Sequence, residues 1–371
     1  MDKEPLITVN LESLTPIWTG NAFPEIKDIK ASSILGSIRW WYEILCRSLG
    51  KKVCNNTCKL ERDDFLKDLL KNKTIENALE DQKICPACKL FGCNGWAGKI
   101  KLIVDDRGKK CIDRVQVGTR SGTNKKRSLD GKMFEKENGL KLLIYSVKKL
   151  TAEEIELLNL TIRIISDYAA LGGRTSQGNG VVKIIPENPN RKYNIKVERE
   201  NPKNSGKEDW KIPVLDNFFF LKIHLKFEED ISSIIGENHF WTSNNSSSSN
   251  QWKRNWTEYG FIPIGFHIRD TIRRVVEDEE SRHELFGRYE GSKIFVSHGY
   301  KIDESTVEVR IWGYYENSKI EKLVSEIENK LTDGKSLKDN LFINDYIKNL
   351  HADIYSSLYG KELFKKYLQE V

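Results

Sequence analysis

The stretch "LFGCNGWAGKI", from Leu90 to Ile100, has a counterpart in the same 371-residue chain, "LFGRYEGSKI", from Leu285 to Ile294. Each copy leads into an apolar run that predicts a β-strand, and each follows a helical pattern that contains Ile-Arg, at 38–39 and at 268–269. Strand, loop, helix, "LFG" and strand thus occur twice in the same order, about 195 positions apart. This recurrence indicates an internal duplication, and we predict two related α+β units with split β-α-β connections.

Hydrophobic periodicity predicts the elements around these two copies. The predicted strands are 6–14, 100–104, 140–147, 181–185, 215–227 and 307–312, and the predicted helices are 29–49, 150–171 and 261–276. The predicted domains are an N-terminal unit over 1–190, with a Cys-rich insert at about 46–95 and a glycine-rich loop at 171–180, a linker over 191–212, and a C-terminal unit over 213–371 with a helical end. The serine–asparagine tract at 243–250 has the composition of a mobile segment.

The charge of the chain is mildly basic, with 60 Lys plus Arg against 54 Asp plus Glu. Such a surplus favours nucleic-acid binding where it is clustered, and "RSGTNKKR", Arg120 to Arg127, is a cluster without any acidic residue. It is interpreted as a flexible basic arm, or alternatively as a solvated charged loop. No apolar run approaches transmembrane length and no signal-peptide pattern is found, so a cytoplasmic protein without membrane contact is expected.

Five of the seven cysteines lie between Cys54 and Cys93. The spacings C-x3-C and C-x2-C can present four thiolates tetrahedrally to a zinc ion. We predict a structural zinc site with ligands Cys54, Cys58, Cys85 and Cys88, and with Cys93 as the alternative fourth ligand. The competing interpretation is that these residues are small buried hydrophobic side chains.

The glycine-rich loop, "LGGRTSQGNG", joins a predicted helix to a predicted strand. A P-loop has the opposite order and carries Gly-Lys-Ser/Thr, so nucleotide hydrolysis at this loop is not expected. Two interpretations stay open from the residues alone. Gly172 and Gly173 can form an ordinary helix C-cap, or the loop can bring its backbone and Arg174 close to phosphate groups.

The first predicted helix has one unusual aromatic residue. Its apolar stripe faces a core, and Trp40 falls on the opposite side, near Arg39 and Arg47. An exposed indole flanked by arginines can stack on a base while the guanidinium groups contact phosphate. The alternative is that Trp40 packs beneath the glycine-rich loop or the Cys-rich insert.

Together, "LTPIWTG", "ASSILGSIRWWYE", "CPACKLFG" and "LGGRTSQGNG" resemble the RAMP superfamily of CRISPR effector complexes. The second and third motifs are most similar to the subfamily that supplies the first subunit of type III-B Cmr complexes. The resemblance implies two tandem ferredoxin-like (RRM-like) domains and a non-catalytic RNA-binding subunit. Such a subunit would hold the 3′ portion of a guide RNA, help to engage single-stranded target RNA for antiviral defence, and contact other RAMP subunits.

On this resemblance, the candidate RNA contacts all lie in the first half of the chain, since the second half has no counterpart of the glycine-rich loop. They are Trp18, Thr19, Gly20, Arg39, Trp40, Arg47, Arg120, Lys125, Lys126, Arg127, Gly173, Arg174, Thr175, Ser176, Gln177 and Gly178. The alternative function is a RAMP-type endoribonuclease, but no histidine precedes His224 to serve as a base beside this RNA. No helix-turn-helix signature indicates a DNA-binding transcription factor.

Overall fold

The computed structural model describes residues 4–20, 28–55, 57–118, 126–186, 188, 190–195, 211–237, 239–240, 246–288, 291–342 and 350–368. The elements of the first half are β1 (Ile7–Ser13), α1 (Ala31–Ser48), α2 (Arg62–Leu70), α3 (Ile75–Asp81), α4 (Pro86–Phe91), β2 (Ile100–Asp105), β3 (Lys110–Gly118), β4 (Lys126–Met133), β5 (Leu140–Ser146), α5 (Ala152–Tyr168) and β6 (Val182–Ile185). Those of the second half are β7 (Phe218–Lys226), α6 (Ile231–Gly236), α7 (Ser246–Tyr259), β8 (Phe261–Ile262), α8 (Gly265–Ile272), α9 (Glu279–Phe286), β9 (Ile294–Val296), β10 (Gly299–Lys301), β11 (Thr306–Tyr314), α10 (Ile320–Thr332), α11 (Lys335–Leu341), β12 (His351–Tyr359) and α12 (Gly360–Tyr367).

The first half is built on a four-stranded antiparallel sheet with the order β2-β5-β1-β6. Alternate residues of β1, including Val9 and Leu11, are buried under α1 and α5, as the period of a half-buried strand requires. Helix α5 begins at a capping box in which Thr151 and Glu154 bind each other's backbone N–H groups. The sheet and its two long helices form one core, and β3 pairs with β4 as a separate hairpin.

The second half is built on a larger antiparallel sheet with the order β12-β7-β11-β10-β8, and β9 also pairs with β11. Strands β7 and β11 are buried along almost their whole length, as expected for central strands covered on both faces. The mixture of helices and antiparallel sheets confirms the α+β class predicted from the sequence.

The repeated "LFG" motifs make similar contacts in both halves. The backbone N–H of Lys99 donates to Leu90 O at 2.9 Å, and that of Lys293 donates to Leu285 O at 2.9 Å. The arginine of each Ile-Arg pair also reaches its own motif, since the Arg39 guanidinium binds Gly92 O and the Arg269 guanidinium binds Phe286 O. The recurrence in sequence therefore corresponds to a recurrence of geometry.

The two halves interlock. Val115 and Leu129 of the β3–β4 hairpin pack in the core of the second half, while Phe364 of α12 packs in the core of the first. Arg310, buried on β11, donates from Nη1 to Ser166 O of α5 at 2.7 Å. Packing therefore crosses between the two predicted units in both directions.

Several sequence-based expectations need correction. Residues 246–250 of the predicted mobile tract form the start of α7, and the predicted helical end contains the strand β12. The helix predicted over 261–276 begins only at Gly265, because Pro263 lacks a backbone N–H and disfavours helical geometry in the residue before it. Lys126 and Arg127, predicted in a loop, begin β4.

Candidate nucleic-acid interface

A groove of about 520 Å³ opens where the loop after β1, helix α1, the glycine-rich loop and the second sheet meet. We call it the aromatic groove, because five of its lining residues carry aromatic rings. These residues are Trp18, Trp40, Trp41, Phe295 and Trp312. Trp41 and Trp312 are buried, whereas Trp18, Trp40 and Phe295 are partly exposed, and exposed ring faces of this kind accept the faces of nucleic-acid bases.

The glycine-rich loop is fixed to the loop after β1 at Trp18. The N–H of Gly173 donates to Trp18 O at 2.7 Å, and a side chain on Gly173 would bring its Cβ within 2.7 Å of the Trp18 ring. The Arg174 guanidinium lies 4.1 Å from the centre of the same ring and donates from Nη1 to Asp130 Oδ1 at 2.6 Å. Glycine is therefore needed at 173 so that the indole can lie against the loop backbone.

Helix α1 contributes a face of small residues to the groove, comprising Ser33, Gly36 and Ser37. The Ser37 hydroxyl accepts the N–H of Gly172 at 3.0 Å and so joins the helix to the glycine-rich loop. A Cβ placed on Gly36 would meet no atom within 4 Å. This face leaves open space in the groove where larger side chains would fill it.

Trp40 forms one wall of the groove and is half-buried, not exposed as helix phasing predicts. Its ring centre lies 5.0 Å from that of Trp41, 6.2 Å from Phe218 and 6.3 Å from Phe295. Residues of the second half of the chain pack on the side of α1 that periodicity predicts to be exposed. Trp40 therefore does not pack beneath the Cys-rich insert, which was one of the alternative predictions.

Arg39 and Arg47 serve internal contacts. Arg39 donates to Glu43 at 2.8 Å, to Gly92 O at 2.9 Å and to Cys88 Sγ at 3.3 Å. Arg47 lies 3.5 Å from Glu43 and donates to Pro213 O at 3.3 Å. These contacts fix the Cys-rich insert and the backbone at Pro213, so both guanidinium groups have structural partners, and their RNA contacts stay a prediction.

The remaining candidates differ in where they lie. Gly20, Gly173 and Thr175 line the aromatic groove, whereas Ser176, Gln177 and Arg127 line a neighbouring groove rich in arginine. Thr19 is buried and accepts the N–H of Lys30 at 3.1 Å, and Gly178 packs against the ring of His298. Lys126 lies exposed beside Arg127, while Arg120 and Lys125 fall outside the described residues.

Sequence reasoning missed the contribution of the second half. Phe295 and Trp312 stack with ring centres 5.3 Å apart and close the aromatic groove opposite α1. Both follow the second "LFG" motif and occupy strands β9 and β11. The internal duplication could have identified both residues. In the duplicated unit, β9 corresponds to β2 of the first half and β11 corresponds to β5.

The four predicted metal ligands converge in the Cys-rich insert. The Sγ atoms of Cys54, Cys58, Cys85 and Cys88 all lie within 4.8 Å of one another, and no disulfide joins them. Cys54 Sγ is 3.6 Å from Cys88 Sγ and 3.5 Å from Cys85 Sγ. Zn–S bonds of about 2.3 Å in a tetrahedron place sulfur atoms about 3.8 Å apart, so the arrangement fits a zinc ion.

The electrostatics of this cluster favour a thiolate. Hydrogen bonding from the neighbouring Cys88 thiol lowers the pKa of Cys85 to about 4. The Arg39 guanidinium at Cys88 Sγ adds a positive charge beside the cluster. A metal ligand has to be deprotonated, and the hydrogen bond to Cys85 raises the pKa of Cys88 while burial raises the pKa of Cys58 to about 11, so a zinc ion would have to displace the protons of these two thiols.

A model of the RAMP superfamily matches residues 10–183, which contain the loop after β1, helix α1, the Cys-rich insert and the glycine-rich loop. The chain resembles the RAMP superfamily over this stretch, which is slightly less than half of its 371 residues. We call residues 10–183 the RAMP segment. It supplies most of the aromatic groove and all four clustered cysteines.

Solved structures that match the chain include Cmr1 from Pyrococcus furiosus in its apo form, at 13% identity and a TM-score of 0.35, covering 83% of this chain and 87% of that chain. A second is a type III-B Cmr-beta complex bound to cognate target RNA, at 11% identity and a TM-score of 0.36, covering 88% of this chain and 100% of that chain. No curated protein matches the sequence. Among the helices that the structure describes, none is long and apolar enough to cross a membrane.

Proposed function

We propose that the protein is a non-catalytic RNA-binding subunit of a type III-B CRISPR ribonucleoprotein, and that the aromatic groove takes bases of single-stranded RNA. One observation carries this proposal. Trp18 and the glycine-rich loop line the same groove as Trp40. Trp18 belongs to "LTPIWTG", and this motif and the glycine-rich loop are two of those through which the sequence resembles RAMP proteins. Aromatic faces stack on unpaired bases of any sequence, so single-stranded RNA is the matching ligand.

The guide and target roles extend this proposal through the sequence motifs. The resemblance of these motifs to RAMP proteins implies a subunit that holds the 3′ portion of a guide RNA and contacts the target strand paired to it. We assign the same partners to this chain, together with neighbouring RAMP subunits.

Two tandem ferredoxin-like domains are part of the proposal. The order strand-helix-strand-strand-helix-strand recurs, with the spatial order β2-β5-β1-β6 in the first half and β9-β11-β7-β12 in the second. A four-stranded antiparallel sheet with two crossover helices in this order is the split β-α-β arrangement. The shared contacts of the two "LFG" motifs support a common origin of the halves.

The environment of the histidines near the glycine-rich loop supports a non-catalytic role. His298, against Gly178, and His267 are both fully buried, and burial lowers the pKa of His267 to about 4 and that of His298 to about 3. A general base has to reach the bound backbone, and neither ring does. The ribonuclease alternative therefore gains no support from this pair.

A structural zinc ion held by Cys54, Cys58, Cys85 and Cys88 completes the proposal. Four cysteine ligands leave no open coordination position, so the ion would fold the insert and take no part in chemistry.

Gly36→Leu will test the groove without changing charge. The leucine side chain would enter open space that lines the aromatic groove, so we expect RNA affinity to fall at least about tenfold, as stacking contributes about 1–3 kcal/mol per base. Leucine also has a higher helix propensity than glycine, so the melting temperature should not fall. Fluorescence anisotropy with a labelled 12-nucleotide uridine RNA measures the affinity.

Ser32→Leu is the matched control, because Ser32 is exposed on the same helix and does not line the groove. It should bind RNA like the wild-type protein. If Gly36→Leu also bound RNA with the wild-type affinity, the groove would be excluded as the RNA site.

A further inference from the structure

A second groove, of about 620 Å³, lies between the start of β4, the turn at 175–177 and helices α8 and α9. We call it the arginine groove. Five arginines line it, namely Arg127, Arg269, Arg273, Arg282 and Arg288, together with a single carboxylate, Asp270. That carboxylate already binds Arg274 Nη2 at 2.6 Å. The groove therefore has a strong excess of positive charge.

The deepest cation of the arginine groove is Arg269. Its guanidinium donates to Ile294 O and Phe286 O, each at 2.6 Å, and to Ser292 Oγ at 2.9 Å. These acceptors are neutral, so its hydrogen bonds fix its geometry without cancelling its charge. Burial, with the nearby Arg273 and Arg127, lowers the pKa of Arg269 to about 10, which still leaves it cationic at neutral pH.

Exposed arginines surround this half-buried cation from both halves of the chain. Arg127 lies on β4 of the RAMP segment, and Arg288 follows α9 in the second half. Arg288 lies 3.7 Å from Glu279, an exposed pair at the rim. Like charges repel in a confined space, so a cluster of this kind is stabilised by an anion that bridges it.

The arginine groove adjoins the aromatic groove through a single turn of the glycine-rich loop. Thr175 lines the aromatic groove, and the next two residues, Ser176 and Gln177, line the arginine groove. The hydroxyl and amide groups of these two residues can also donate hydrogen bonds to phosphate oxygens. An RNA strand with a base in the aromatic groove would therefore pass directly over the arginine groove.

We propose that the arginine groove is a phosphate-binding subsite that takes backbone phosphodiesters of the same RNA strand whose bases enter the aromatic groove. This inference rests on the proposed RNA-binding function and extends it to the second half of the chain. Planar guanidinium groups pair with two oxygens of one phosphate, so a run of phosphodiesters matches the spread of arginines better than a single carboxylate would.

The test is the salt dependence of RNA binding by Arg127→Gln combined with Arg288→Gln. Each phosphate contact to single-stranded RNA contributes about 0.7 to the slope of log K against log salt, so the double variant should lose about 1.4 of that slope. Its affinity at low salt should fall about tenfold. Anisotropy titrations with the same 12-nucleotide uridine RNA at several salt concentrations measure both quantities.

Four further variants make the result specific. Lys67→Gln combined with Lys322→Gln removes two cations that are 67% and 82% exposed on α2 and α10, outside both grooves, and should keep the wild-type slope. Arg127→Lys combined with Arg288→Lys keeps the charge and should keep most of the slope. The single Gln variants are measured too, each expected to lose about 0.7, so a folding defect of the double variant does not remove the test.

An unchanged slope in the folded Gln variants, or an equal loss in the Lys67 and Lys322 control, would overturn the subsite. If Gly36→Leu weakens binding while the arginine variants bind normally, the phosphate subsite fails and the aromatic groove stands. If the wild-type protein binds no RNA, the proposed function fails together with the inference.

Discussion

Replacing Cys85 with serine will remove a bound zinc ion and lower the melting temperature by about 5–10 °C. Zinc held by four thiolates contributes directly to folding free energy, and Cys85 and Cys88 are buried in the core of the first half. The loss should centre on the Cys-rich insert and leave the two sheets folded. Elemental analysis should find about one zinc per wild-type chain and far less in the variant, and thermal melts measure the stability.

Cys111→Ser is the matched control, because Cys111 is exposed on β3 and lies outside the cluster. It should retain the full zinc content and the wild-type melting temperature. Wild-type protein purified without chelator that contains no metal would contradict the zinc site. In that case the cysteines act as small buried side chains.

Trp18→Ala will weaken RNA binding about 10- to 100-fold. The indole lines the aromatic groove and lies beneath the Arg174 guanidinium, so its removal takes away a stacking face and one support of that cation. Loss of one base-stacking face costs about 1–3 kcal/mol. The backbone bond from Gly173 N–H to Trp18 O does not need the side chain, so the loop should stay in place.

Trp18→Phe should restore most of the affinity, because phenylalanine keeps an aromatic face at the same position. Tyr355→Ala is the control for loss of an exposed ring, since Tyr355 is 64% exposed on β12 and lies outside the groove. Wild-type affinity in Trp18→Ala, with an unchanged melting temperature, would remove Trp18 from the RNA site.

Local sequence patterns predicted those parts of the site that are held by nearby residues. The spacing of the cysteines predicted the four that converge, because C-x3-C and C-x2-C pairs need only one close approach of two short loops. The glycine-rich loop was predicted between α5 and β6, and its glycines are explained by close contacts with Trp18, Leu171 and His298.

The environment of helix α1 could not be predicted from its own periodicity. Helix phasing identified the buried apolar stripe correctly, but it predicts that every residue outside the stripe is exposed to solvent. In the structure, the second sheet covers Trp40, and the Cys-rich insert receives Arg39. Such contacts join residues far apart in the chain, and no local pattern encodes them.

The duplication nevertheless carried unused information about Arg39. The Ile-Arg pair occurs in both halves, and Arg269 contacts the second "LFG" motif as Arg39 contacts the first. A residue that recurs with a structural motif, in a half with no glycine-rich loop, indicates a structural role. The second half also completes the aromatic groove with Phe295 and Trp312, which only the packing of the two halves reveals.

Photo-crosslinking to RNA that contains 4-thiouridine, followed by mass spectrometry of the peptides, tests the aromatic groove most directly. We expect crosslinks in peptides that carry Trp18, Trp40 or the turn at 175–177, and their loss in Gly36→Leu. Crosslinks confined to peptides outside the groove, and unchanged by that variant, would contradict it.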